Sequence, residues 1–230
     1  MTVKLLHSTP LWVASKAIRK CWASEDKSDT TIDYVDVGLE SDYLYISSKE
    51  LDHEVEAGPK DKELIHRVGN KNKHSSTLEH LNYTFDIDGI SRACLQELAR
   101  HRHASMSVKS TRYTLKELKE AEYTTQAVMD FLVKVDEATD EYNFYALCKI
   151  REELKLGKSN DKVKYSLPEA YKTSLVWTIN MRSLQNFLAL RTNKAALWEI
   201  RDLANLIYNT LPEEHKYMYT EFIYKEIADV

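Results

Sequence analysis

Arg100, His101 and Arg102 stand together near the start of a segment, Leu98 to Lys116, that also carries Lys109, Arg112 and Lys116 and contains no acidic residue. Two guanidiniums and an imidazole at one helix end can simply complement the helix dipole. The continuation asks more of them. Ser110 and Arg112 follow on chain that reads as extended, where a hydroxyl and a guanidinium two residues apart converge on one phosphate. An anion is expected to dock there. Arg191 is the second unusual arginine: Leu184, Phe187, Leu188 and Arg191 repeat at i, i+3, i+4 and i+7, which sets a cation on the apolar face of a helix. A snorkelling surface arginine is the plain explanation; a cation aimed at charge developing on a ligand is the functional one.

Other chemistries find less support. The three cysteines, Cys21, Cys94 and Cys148, are far apart, odd in number and without C-x-x-C spacing, which excludes a disulfide framework or a thiolate zinc site. Cys21 and Cys94 fall on apolar stripes and Cys148 in a long helix, so all three read as buried packing residues. Ser110 has no general base at motif spacing and reads as a hydrogen-bonding group, not a nucleophile. His101 and His103, with His74 and His80 upstream, lack an H-E-x-x-H pattern or a cysteine partner, and no metal is expected; His103 reads as solvated. Glycine occurs 5 times and never at intervals shorter than 11 residues, so neither a G-x-G-x-x-G turn nor a G-x-x-x-x-G-K-[ST] loop exists here. A nucleotide would have to be held largely by side chains.

The chain has 230 residues, 43% of them apolar and 30% charged, with a formal net charge of −4. That balance argues against a nucleic-acid-binding module, which would be strongly basic. No apolar run approaches the roughly 18 residues of a membrane span, and Met1 to His7 turns polar too soon for a secretory leader; a cytoplasmic protein without membrane contact is expected. Residues 23–57 hold eleven acids and two lysines, leaving the remainder net positive. One domain over 1–230 is expected, with this acidic stretch as a peripheral excursion, part of which (Tyr43, Leu44, Tyr45, Ile46) can form a strand.

The elements that must position the arginines follow from periodicity. Thr9 and Pro10 predict a helix to about Trp22, and Pro59 to Val68 a short helix stopped by Gly69. Leu81, Tyr83, Phe85 and Ile87 alternate with polar residues as a half-buried strand, which Asp88-Gly89 turns into a helix from Ile90 to about Arg100. Ala104 to Val108 reads as a short strand or extended loop. Thr114 to Glu117 fits a capping box. A long helix is predicted from Thr125 to Leu156, with Val128, Phe131, Val135, Ala138, Tyr142, Tyr145 and Lys149 on its packed stripe, and a further helix from Pro168. The last third reads as helical throughout. The fold class is α+β, with long helices packed on a small, mainly antiparallel sheet.

Arg100-His101-Arg102, seven residues and then Ser110 resembles the signature of the flavin-dependent thymidylate synthases. Two companion blocks strengthen the resemblance. His74-Ser75-Ser76-Thr77-Leu78-Glu79-His80 is similar to that family's stretch before its strand, and Asn180 to Arg191 followed by Trp198-Glu199-Ile200 to its Asn-x-Arg-Ser-Leu-x-x-Phe-x-x-Leu-Arg block. The resemblance implies a non-Rossmann flavin-binding fold and reductive methylation of dUMP to dTMP, with 5,10-methylenetetrahydrofolate as carbon donor, NADPH as reductant and FAD as hydride carrier. It also implies a homotetramer with sites shared between subunits. On the matching positions, His74, Ser76, Arg100, His101, Arg102, Asn180, Arg182 and Asn186 would hold FAD. Glu97, Arg100, Ser110, Thr111, Arg112, Lys164 and Arg191 would hold dUMP, with Arg191 against the pyrimidine.

The match departs in places. Glu97 stands where the family usually has Gln, Ser107 and Val108 where Asn-Glu is frequent, and Lys164 where an arginine often meets the nucleotide phosphate; Lys164 keeps the charge but loses the fork. C5 of uracil is a poor nucleophile, and a thiolate that could activate it needs an accessible, electropositive site. With the cysteines read as packing, Arg191 is the expected source of activation. A purely helical interaction protein would leave the Asn180 to Arg191 block unexplained.

Overall fold

The computed structural model describes residues 1–31, 38–40, 43–45, 55–122 and 124–224. Among these described residues ten α-helices and six strands follow in chain order: β1 (Thr2–Ser8), α1 (Trp12–Cys21), β2 (Gly38–Glu40), β3 (Tyr43–Tyr45), α2 (Pro59–Ile65), β4 (Asn82–Ser91), α3 (Arg92–Leu98), β5 (Ala104–Val108), α4 (Thr111–Glu120), α5 (Thr125–Met129), α6 (Glu137–Lys155), α7 (Asn160–Val163), β6 (Lys172–Asn180), α8 (Met181–Arg191), α9 (Trp198–Thr210) and α10 (Glu213–Lys216). Four strands make one sheet in the order β1-β4-β6-β5, antiparallel at every step. β2 and β3 form a separate antiparallel pair within the acidic stretch, most of whose remaining residues lie outside those described. No described helix is long and apolar enough to cross a membrane.

Alternation explains the central strands. Tyr83, Phe85 and Ile87 of β4 and Leu175, Trp177 and Ile179 of β6 are buried, and they face the helices from the same side of the sheet. The core they seed includes Leu11 just before α1, Ala14 and Ile18 from α1, Ile65 from α2, Leu184, Phe187 and Leu188 from α8, and Ile200, Leu203 and Ile207 from α9. A second apolar cluster joins Leu115 and Leu118 of α4 to Val128, Leu147, Ile150, Leu154, Val163 and Tyr171.

Several elements differ from the sequence expectation. β4 does not turn at Asp88-Gly89. Gly89 takes a positive φ of 75° and makes a bulge between Asp88 and Ile90, after which Ile90 again faces the core and the helix begins only at Arg92. Gly69 does not stop a helix either. It lies within a π-helical turn, His66–Lys71, where a Cβ would stand 2.7 Å from Leu78 Cδ2, so close packing explains the glycine. α1 starts at Trp12, because Thr2–Ser8 is a strand and Thr9 bonds back to Asn82. α4 starts at Thr111, and Thr114 lies inside it with its hydroxyl donating to Ser110 O.

The predicted long helix is two helices. Val133 N–H donates to Ala170 O and Lys172 N–H to Phe131 O, so the intervening chain pairs with the approach to β6, and Asp136 then caps α6 through Thr139 N–H. On α6 the packed face is Leu147, Ile150 and Leu154, whereas Tyr142 and Tyr145 of the expected stripe are exposed. Pro168 precedes no helix; β6 follows instead. Cys94 is buried as expected, but Cys148 is only half-buried and Cys21 is exposed at the end of α1.

The base of the acidic excursion is fastened by Asp61. This buried carboxylate accepts from Arg19 Nε at 2.7 Å, Ser28 Oγ at 2.6 Å, Thr30 Oγ1 at 2.6 Å and Ser15 Oγ at 3.2 Å. Burial alone would raise its pKa, but the bonds from Ser28, Thr30 and Arg19 outweigh that and hold the carboxyl below its ordinary value.

Two expectations follow. Asp61→Asn leaves the buried Arg19 guanidinium uncompensated and should cost about 3–5 kcal/mol in denaturant unfolding. His215, buried against Tyr83 with its Nδ1 2.8 Å from the phenol oxygen, is held by burial and by Lys62 at about 4, below the 6.5 of a free imidazole. Because the unfolded chain then binds a proton that the folded chain refuses, stability should fall as pH drops from about 6.5 towards 4, and His215→Phe should flatten that dependence in thermal melts.

Candidate functional site

Asn180 is the last residue of β6 and the cap of α8, where its side chain accepts Ser183 N–H at 2.9 Å. Pairing of β5 with β6 sets Ala104 opposite Ile179, which brings the end of the Arg-His-Arg segment beside this junction. The result is a cleft of about 450 Å³ lined by Glu79, His101, Arg102, His103, Asn180, Arg182, Ser183 and Asn186. One strand-to-helix corner and one strand start thus supply nearly the whole lining. Arg182 Nη1 donates to Glu79 Oε1 at 2.6 Å across the cleft. Glu79, His103 and Ser183 were not assigned from sequence; Glu79 lies in the quoted His74 to His80 block, and its opposite charge to Arg182 was the available signal.

His101 joins the cleft to a second cluster. Its ring stands edge-on to Phe187, centroids 4.9 Å apart, and Phe187 in turn packs on Trp177, so the imidazole rests on the sheet core. Arg191, at the far end of α8, donates from Nε to His101 Nε2 at 3.0 Å, from Nη1 to Glu97 Oε2 at 2.7 Å and from Nη2 to Glu97 O at 3.1 Å. A guanidinium has no acceptor, so Nε2 carries the lone pair and Nδ1 the proton. Burial, reinforced by Arg191 and Arg100, pushes His101 down to about 4. It is therefore a neutral imidazole at neutral pH, with one N–H to offer.

Arg191 is only 13% exposed, so it is not a snorkelling surface arginine. Glu97 also approaches Arg100 Nη1 at 3.6 Å, while that arginine itself is mostly exposed. Glu97 occupies the last turn of α3, whose start is pinned by Ser91: Ser91 Oγ accepts Cys94 N–H at 3.0 Å and donates to Glu199, which also accepts Ser91 N–H at 2.7 Å. α9 thereby fixes the helix that carries Glu97.

The remaining expected residues lie elsewhere. Ser110 and Thr111 start α4 just beyond β5, and Arg112 forms a two-point pair with Asp161, Nε to Oδ1 at 2.7 Å and Nη2 to Oδ2 at 3.4 Å. Lys164 follows α7 nearby in sequence, in a 3-10 turn. Since Ala104 pairs with Ile179 and Val108 with Leu175, Ser110, Thr111 and Arg112 leave the opposite end of β5, about 13 Å along the strand at roughly 3.3 Å per residue. His74 and Ser76 sit at the start of a 3-10 turn, Ser75–His80, and do not line the cleft. Within one chain the structure brings together His101, Arg102, Asn180, Arg182 and Asn186, and separately Glu97, Arg100, His101 and Arg191. It does not bring Ser110, Thr111, Arg112 or Lys164 to the cleft lining.

Of the cysteines, Cys94 is pushed well above the ordinary thiol range by burial and by Glu199, and burial raises Cys148 too. None of the three lines the cleft.

The family model described as Thymidylate synthase complementing protein matches residues 4–215. A flavin-dependent thymidylate synthase of Wolinella succinogenes is 52% identical over 224 residues, 95% of this chain and 97% of that protein. One of Campylobacter jejuni is 50% identical over 232 residues, 99% of this chain and all of the other. The crystal structure of thymidylate synthase X of Helicobacter pylori with FAD and dUMP superposes with a TM-score of 0.81 at 45% identity, covering 98% of this chain and 100% of that one. With the sheet, the three sequence blocks and similarity over nearly the whole length in agreement, the chain belongs to the flavin-dependent thymidylate synthase family.

Proposed function

We propose that this protein methylates dUMP reductively to dTMP, using 5,10-methylenetetrahydrofolate, NADPH and FAD, in the cytoplasm where such substrates are made. The observation that carries the reading is α8 itself. Its first turns present Asn180, Arg182 and Asn186 to a donor-rich cleft, and its last residue, Arg191, is held by a histidine of that same cleft.

The cleft residues fit the cofactor. Arg102 and Arg182 suit a diphosphate, and the amides of Asn180 and Asn186 with the Nδ1 proton of His101 suit the polar rim of a flavin ring. When bound, FAD supplies hydride transfer. Arg100 and the outlying Ser76 and His74 complete this set by the family resemblance.

For the nucleotide, Arg191 donates to the ring carbonyl where negative charge develops as C5 becomes nucleophilic, in a site where its guanidinium is largely shielded from water. Ser110, Thr111, Arg112 and Lys164 bind the phosphate end, with Glu97 beside the ring. Their separation along β5 supports a site assembled from more than one copy of the chain, one supplying the β6–α8 corner and another the start of α4, as in a homotetramer. β5 is an edge strand of the sheet and leaves room for such an approach.

Purified protein loaded with FAD should release tritium from [5-³H]dUMP when methylenetetrahydrofolate and NADPH are added; no release would sink the assignment. Arg191→Ala should lower turnover by about 10²–10³-fold, the usual loss of a preorganised charge-stabilising donor, while keeping the flavin absorbance. Arg182→Ala should instead lose flavin. Arg112→Ala and Arg191→Ala, each strongly impaired alone, should regain activity when unfolded together and refolded, and failure of every such mixture would refute shared sites.

A further inference from the structure

Arg191 is already engaged within its own chain. Of its five N–H donors, three are spent, on His101 Nε2, Glu97 Oε2 and Glu97 O. Among the described residues the Glu97 carboxylate is the only one paired with Arg191, and at 2.7 Å it makes the shortest of the three contacts. A ring carbonyl that takes the remaining donors must share the guanidinium's charge with this anion.

We propose that Glu97 is an internal counter-ion that competes with the pyrimidine ring for Arg191, and so sets nucleotide affinity as a positioning residue. The proposal rests on Arg191 being the group that meets the ring. Three observations lead to it. The pair is shielded, with side-chain exposures of 13% for Arg191 and 31% for Glu97, so its attraction is less screened than that of a surface pair. Without a carboxylate the guanidinium would lie half-shielded against a neutral imidazole and near a second cation, Arg100, an arrangement that costs free energy. Glu97 is also carried on a fixed helix, because Glu199 and Ser91 pin the start of α3.

The kinetic consequence is specific. An interaction that opposes substrate and product alike is uniform: it raises KM and speeds product departure without altering the bond-making step. A negative charge at this position further opposes a nucleotide that arrives as a phosphate dianion. Glutamine in its place keeps an acceptor for Arg191 Nη1, of the same length, and removes the charge.

The test uses FAD-loaded protein, titrated with dUMP and with dTMP by calorimetry and followed by steady-state kinetics. Glu97→Gln should tighten both nucleotides by about fivefold, the worth of a partly exposed ion pair, with KM for dUMP falling in step. Glu97→Asp keeps the charge and should not tighten either. A residue that merely supported α3 would loosen both nucleotides when changed. Binding by Glu97→Gln equal to or weaker than the parent protein, or equal tightening by Glu97→Asp, would overturn the proposal. Arg191→Ala measured alongside separates the two readings: if it loses dUMP affinity while Glu97→Gln changes nothing, the counter-ion fails and the role of Arg191 stands; if it binds dUMP normally, the role of Arg191 fails first.

Discussion

The junction at Asn180 is the constraint on which the cleft depends. As a strand residue it is opposite Asn82 in β4, and as a cap it fixes the first turn of α8 through Ser183. Between these two roles the chain has almost no freedom. β6 is paired on both sides, so its end is immobilised by two ladders at once. Once the corner is set, helical spacing dictates where Arg182 and Asn186 project, and roughly 15 Å of helix carries the axis to Arg191. The β5 ladder then delivers His101 and Arg102 to the same corner. The cleft is lined by long side chains on this corner, with no glycine among them.

Much of this was legible in the sequence, and the exceptions share a cause. The alternation of Tyr83, Phe85 and Ile87 is that of a half-buried strand, and it forms one. A helix is expected from Pro168 and the last third reads as helical, yet Thr173, Leu175, Trp177 and Ile179 alternate as the buried face of β6. β1 gives little periodic signal because it is an edge strand with half-exposed residues. The break between α5 and α6 is set by hydrogen bonds to Ala170 and Phe131 across some forty residues, which no local window contains. Asp136 and Thr139 did hold a local clue to where α6 starts.

The arginines were found by their types and spacing, but their grouping could not be. Whether Arg191 meets Arg112 or Glu97 depends on sheet register and on which end of β5 each residue leaves. Glu97 illustrates the limit: as a letter it is a departure from Gln, and only its 2.7 Å contact reveals what the extra charge touches.

The fastening at Asp61 bears on how the protein tolerates change. Ser28 and Thr30, near the start of the acidic stretch, both donate to the carboxylate of Asp61 just after it, Thr30 Oγ1 accepts Gly58 N–H at 2.9 Å, and Asp29 accepts Lys60 N–H at 2.8 Å. The chain therefore departs and returns at a single stitched point. For such a loop, doubling the length costs only about 0.6 kcal/mol of closure entropy. A change in the number of residues between the stitches accordingly costs the sheet little, because it alters closure entropy and leaves the bonds at Asp61, Gly58 and Lys60 in place.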